Sequence, residues 1–151
     1  MEYLKCIVKE TPRLHPAAPL LVPRETSAGI ELKGYDILPK TRVLINAWAI
    51  QRDPIVWENP EEFIPERFEN NAIDFRGSNF EFISFGVGRR RCPGISFGVC
   101  VLESVIANLL YWFDWRLADD ADRQSMDMTE TFFIAASKKL PLHLVPSAYC
   151  C

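Results

Sequence analysis

At 151 residues, 48% of them hydrophobic and 25% charged, the chain holds enough apolar material for a globular core, which excludes a disordered tail. Its 17 basic residues against 20 acidic ones give a net charge of −3 and no long basic stripe, so no nucleic-acid partner is expected. Charges at Glu2, Lys5, Lys9 and Glu10 interrupt any signal-peptide run, and Glu103, Ser104 and Asn108 break the longest apolar stretch, so no bilayer-spanning segment and no membrane anchor are expected.

The chain opens inside a helical pattern. Leu4, Ile7, Val8 and Leu14 share one face, and His15-Pro16 ends the run because the residue before proline is driven from the α region. Such an opening, without a cap, leads to the expectation of a piece of a longer protein. Glu10 and Arg13 fall three apart, on one side of this helix. Pro12 lies between them; a proline there removes a hydrogen bond and clashes with the Val8 carbonyl, a cost softened by its place in the last turn, so the sequence leaves the Glu10–Arg13 geometry open. Pro16, Pro19 and Pro23 then stiffen an extended segment, AAPLLVPR. Alternation at Ile30 and Leu32, and again from Val43 to Trp48, predicts two short strands joined by a turn at Pro39-Lys40.

From Asp53 to Phe80 neither period holds, and RDPIVWENPEEFIPERFENN reads as a long irregular loop of the kind that persists in a domain when it is functional. Apolar residues at 95, 99, 102, 106, 109 and 110 predict a helix from Ile95 to about Phe113. The tail, TFFIAASKKLPLHLVP, predicts two short strands joined near Lys138-Lys139.

The cysteines, at 6, 92, 100, 150 and 151, follow neither a disulfide framework nor a zinc spacing, and His15 and His143 lie too far apart in sequence for a Cys/His finger pattern. Cys92 stands out, inside FGVGRRRCPG (85–94) and just ahead of the long helix. A helix N-terminus and the flanking arginines favour a thiolate. Glycines at 86, 88 and 94 let the backbone turn sharply and approach a large flat object, with Phe85 as an apolar wall. That combination suits a nucleophile or a ligand to a soft metal centre, and the nucleophile lacks an evident base.

FGVGRRRCPG resembles the haem-thiolate signature FxxGxRxCxG of the cytochrome P-450 monooxygenases, matched at Phe85, Gly88, Arg90, Cys92 and Gly94. Glu10-x-x-Arg13 is similar to that family's ExxR motif. NPEEFIPERF is similar to its PxxFxPxRF segment, matched at Pro60, Phe63, Pro65, Arg67 and Phe68. The wording looks most like plant A-type microsomal members, which act in secondary metabolism.

The resemblance implies a mixed α/β, mainly α fold, the C-terminal third of the cytochrome P-450 fold: ExxR helix, short strands, meander loop, Cys-ligand loop, long helix and C-terminal β-hairpin. Residues 1–151 would form one partial domain. It implies haem b (iron protoporphyrin IX), with Cys92 as the axial iron ligand and Arg90 and Arg24 pairing with its propionates. Glu10, Arg13 and Arg67 would form a buried triad. Leu20, Leu21 and Val22, with Phe132, Phe133 and Ile134, match substrate-contact regions and equally suit a core. Arg89 and Arg91 suit either solvated charges or a basic surface that docks a flavoprotein. Complete members carry an oxygen-activating helix and a membrane anchor upstream of the matched stretch, and face the cytosol from the endoplasmic reticulum. They take electrons from NADPH-cytochrome P-450 reductase and insert one oxygen atom of O2 into a small lipophilic substrate. The alternative for these 151 residues is an inactive truncated remnant or a non-catalytic haem-binding module.

Overall fold

Residues Glu2–Leu14 form helix α1, and its buried side chains are Cys6, Val8, Glu10, Arg13 and Leu14, while Leu4 and Ile7 are half-buried. The inward face therefore mixes apolar residues with a charged pair. The computed structural model describes residues 1–75, 79–118, 126–132 and 135–149. The helix stops where Pro16 requires, with the His15 N–H donating to the Thr11 carbonyl at 2.7 Å. Pro12 does not distort it: the helix is continuous through Pro12, and Glu10 and Arg13 meet through two hydrogen bonds. The carbonyls exposed by the last turn are instead served from elsewhere, those of Pro12 and Arg13 by the Gln51 amide and that of Leu14 by the Arg52 guanidinium.

The strands are shorter and paired differently from expectation. β1 (Arg24–Glu25) pairs antiparallel with β4 (Arg42–Val43), and β2 (Ile30–Leu32) with β3 (Tyr35–Ile37). The hairpin turn is Lys33-Gly34, where both residues have positive φ (52° and 82°) as a tight two-residue turn demands, so the expected link at Pro39-Lys40 is corrected. Strand alternation does not continue to Trp48 either. The Asn46 side chain accepts the Ala49 N–H at 3.0 Å and starts a short helix, α2 (Ala47–Ile50), because a capping side chain outweighs a weak alternating pattern.

The described part of the irregular loop is packed, not loose. Trp57, Phe68, Phe75 and Phe82 join Cys6 of α1 and Ile95 of the long helix in one core, with Ile73, Phe85 and Val99 against it. Phe68 and Phe82 are tilted at 5.4 Å between ring centroids, and Phe75 meets Phe85 edge-on at 5.4 Å. A single turn of 3-10 helix over Pro65–Phe68 packs on α1.

Helix α3 (Ile95–Trp112) has close to the expected extent, follows Gly94 as its N-cap residue, and of its side chains only Ile95 is buried. Its length and apolar composition would allow it to cross a bilayer despite Glu103, Ser104 and Asn108, by length and composition alone. The same composition belongs to helices covered by protein on all sides.

α3 runs directly into β5 (Phe113–Leu117), a strand the sequence reading did not separate from the helix. β5 pairs antiparallel with β8 (Leu144–Ala148). The remaining tail pair is β6 (Glu130–Phe132) with β7 (Ala136–Lys138), so the strands do not join each other at Lys138-Lys139 as expected. Four two-stranded sheets and three helices make up the mixed architecture among the described residues.

Candidate functional site

The Glu10 carboxylate, fully buried, gathers donors from three places. Arg13 Nε and Nη2 donate to it at 2.6 and 2.9 Å, Arg67 Nε at 3.1 Å, and the Ile64 N–H at 2.8 Å. The rest of Arg13 is used as well: Nη1 donates to the carbonyls of Gln51 and Pro60, and Nη2 to that of Glu62. All five N–H groups of this buried guanidinium have acceptors. Arg67 donates to the carbonyls of Glu58, Asn59 and Glu62. Both cations also lie over the Trp57 ring, at 5.4 and 5.9 Å. Two guanidinium groups on α1 and the 3-10 turn thus take up carbonyls of an irregular loop that has no ladder to use them.

The second feature is the loop that follows this aromatic core. Gly86 and Gly88 have φ of 74° and 70°, the left-handed region that favours glycine, and they turn the chain back. The Gly86 N–H donates to the Ile83 carbonyl at 2.7 Å, and the Cys92 N–H donates to the Phe85 carbonyl at 2.9 Å, closing the loop. Gly94 is the N-cap residue of α3, and a Cβ there would sit 3.9 Å from Cys92 Sγ. Glycine leaves that flank of the sulfur open. Cys92 is exposed.

Across from the loop runs the stiff segment 17–24, and a cavity of about 450 Å³ lies between the two. Leu21, Val22, Phe85 and Pro93 supply apolar walls; Cys92, Arg24 and Arg90 supply the thiol and the cations. Arg24 Nη2 donates to the Arg90 carbonyl at 3.1 Å, which fastens the two walls to each other. Six expected residues (Cys92, Arg90, Arg24, Phe85, and Leu21 and Val22 of the substrate-contact candidates) therefore meet at one opening. Gly88 shapes the loop without lining it.

Leu21 also lines a second, mostly apolar cavity of about 610 Å³, with Leu20, Leu44, Asn46, Trp48 and Phe132. The backbone at Leu21 is left-handed (φ 52°), held by its N–H to the Ala18 carbonyl. Phe132 reaches this cavity on β6, anchored by the His15–Glu130 contact and by the Ala136 N–H to the Ala17 carbonyl. Phe133 and Ile134, the other expected substrate contacts, lie outside the described residues, as do Cys150 and Cys151.

Gln51, Arg52 and Ser84 were not among the expected site residues. A helix ending at Pro16 leaves carbonyls that need donors, so the sequence shows that partners must exist. It does not show that they come from 38 and 72 positions away.

The family model described as Cytochrome P450 matches residues 1–144. The chain is 57% identical over 145 residues to Cytochrome P450 71A1 of Persea americana, covering 96% of this chain and 29% of that protein. It is 52% identical over 151 residues to phenylacetaldehyde oxime monooxygenase of Prunus mume, covering 99% of this chain and 29% of the relative. Desmethylyatein synthase of Sinopodophyllum hexandrum is 55% identical over 146 residues, with 97% and 30% covered. Among solved structures, a zebra fish cytochrome P450 with progesterone matches with a TM-score of 0.77 at 29% identity, over 96% of this chain and 31% of that one. A retinoic acid-bound cyanobacterial protein shares the fold, with a TM-score of 0.82 at 23% identity, over 99% and 34%. The chain thus spans about 29% of the length of the curated relatives it matches.

Proposed function

We propose, since the chain belongs to the cytochrome P450 family, that its 151 residues are the haem-binding C-terminal portion of a plant monooxygenase acting on a small lipophilic substrate. The observation that carries this reading is the exposed Cys92 thiol at a cavity shared with Arg24 and Arg90. That donor set fits haem. A soft sulfur suits the iron, two guanidinium groups suit two propionates, and apolar walls at Leu21, Val22 and Phe85 suit the ring. When bound, haem supplies the dioxygen chemistry that inserts one oxygen atom into substrate, with electrons from NADPH-cytochrome P-450 reductase.

The protein's own share of that work is positional. Gly86 and Gly88 fold the loop so that Cys92 projects into the cavity instead of the core, and Gly94 leaves the sulfur uncovered. Arg24 and Arg90 orient the group by its carboxylates. Glu10, Arg13 and Arg67 lock the meander loop beneath the thiol loop. Leu20, Leu21, Val22 and Phe132 contact substrate, in company with Phe133 and Ile134. By family the whole protein sits at the endoplasmic reticulum membrane, facing the cytosol. The exposure of Cys92 and of most of α3 favours a second reading for these residues alone, a haem-binding module without turnover.

The test is haem titration of the purified chain, followed by reduction under carbon monoxide. The chain is expected to give the thiolate-type absorption band, Cys92→Ser to lose it, and Arg24→Leu with Arg90→Leu to weaken uptake. A Cys92→Ser protein that keeps the band would overturn the ligand assignment.

A further inference from the structure

The fully buried Gln51 side chain lines neither cavity, yet all of its hydrogen-bonding positions are engaged. Nε2 donates to the carbonyls of Pro12 (3.0 Å) and Arg13 (3.1 Å). Oε1 accepts from the Ile83 N–H (3.0 Å) and lies 2.7 Å from the Ser84 hydroxyl. An amide offers two donors and two lone pairs, and here none is left over. Ser84 is also within 2.9 Å of the Pro12 carbonyl, with one proton to share between that oxygen and Gln51 Oε1. The orientation of the amide is fixed by its neighbours, because a flipped amide would set its NH2 against the Ile83 N–H and its oxygen against two carbonyls.

This small network joins two parts of the molecule that the site needs in fixed relation. On one side is the end of α1, held by the buried Glu10–Arg13 pair, with the Gln51 carbonyl itself accepting from Arg13 Nη1 at 2.9 Å. On the other side are Ile83 and Ser84, the residues immediately before the thiol loop. The Ile83 carbonyl receives the Gly86 N–H, and the Phe85 carbonyl receives the Cys92 N–H. Gly88 to Gly94 are exposed, so the loop has little burial of its own to hold it. Its tether is at buried Ile83 and half-buried Ser84, and that tether ends on Gln51.

We propose that Gln51 is a positioning residue for the Cys92 loop, acting through Ile83 and Ser84 to fix the Phe85 carbonyl on which the Cys92 N–H closes. Its importance for iron ligation rests on the reading of Cys92 given above; the mechanical link does not. A site built on an exposed loop needs such support, because small displacements of a ligand cost more than the contacts around it suggest.

The experiment is amide hydrogen exchange on the full chain without haem, comparing the parent with Ser84→Ala, Ser84→Thr and Gln51→Met. Ser84→Ala is expected to speed exchange at Gly86 and Cys92 by roughly two- to tenfold, the weight of one net hydrogen bond, while the amides of α1 stay unchanged. Ser84→Thr, which keeps the hydroxyl, restores the parent rates. Gln51→Met speeds the loop further, since the Ile83 N–H is left without an acceptor; if it does not fold, the Ser84 pair decides the matter. Loop rates that do not change in Ser84→Ala, or that rise together with those of α1, overturn the proposal. Failure of the parent to take up haem through Cys92 would sink the functional reading and leave this comparison intact.

Discussion

Replacing Glu10 by glutamine changes one buried oxygen and tests the whole charged cluster. The carboxylate accepts four hydrogen bonds, three of them from guanidinium nitrogens, and has no exposure to water. An amide oxygen at the Oε1 position could keep the bonds from Arg13 Nη2, Arg67 and Ile64. The amide nitrogen at Oε2 would then face Arg13 Nε across 2.6 Å, donor against donor, with two cations left beside a neutral group. Breaking a buried ion pair from one side costs about 3–5 kcal/mol. Against a total stability of about 5–15 kcal/mol, that lowers the melting temperature by roughly 6–20 °C for a chain of this size. Urea and thermal unfolding followed by circular dichroism measure it, with Glu2→Gln as control. The Glu2–Lys5 pair lies on the same helix but is exposed, and its loss should leave the curve where it was. A Glu10→Gln protein within about 1 kcal/mol of the parent would refute the claim that the cluster depends on the charge.

Two further outcomes are expected. Gly88→Ala should cost about 1–2 kcal/mol although nothing lies within 4 Å of the new methyl group, because φ is 70° there; an unchanged unfolding midpoint would show that the loop relaxes to another backbone form. Tyr3 donates to Glu66 at 2.9 Å, and that bond pushes its phenol above the usual value near 10, so the link is intact below that pH and is lost as pH rises through the raised value. Ultraviolet titration should show Tyr3→Phe removing a late-ionising phenol, and removal of one that ionises early would contradict the contact.

Helices α1 and α3 could be read from the sequence because their apolar spacing and their ends, at Pro16 and Gly94, are local signals. The thiol loop was legible for a similar reason: glycine, arginine and cysteine stand within ten positions. Strand pairing was not legible. β1 and β4 have two residues each, too few for a period, and find each other only in the folded chain. FDWRL alternates well enough, with Phe113, Trp115 and Leu117 half-buried, but it follows the apolar helix without a break, so its start was hidden. Gln51 was invisible for a different reason: an isolated glutamine carries no pattern, and its role comes from carbonyls contributed by distant segments.

The long reach of the buried charges bears on how the protein folds. Glu10 meets Arg67 across 57 positions, and Arg13 meets carbonyls 38 to 49 positions ahead. Until those residues arrive, the first helix presents an ion pair to water and lacks donors for the carbonyls of its last turn, so a growing chain gains little by forming it early. Contacts between distant segments require closing large loops before any stabilisation appears, and they slow the search. α1 and the irregular segment from Asp53 to Phe82 should therefore order together in one late step, and an assay of refolding should find their protection rising at the same rate. A polypeptide still emerging from the ribosome, with Arg67 not yet made, would carry a helix whose charged side has nowhere to go.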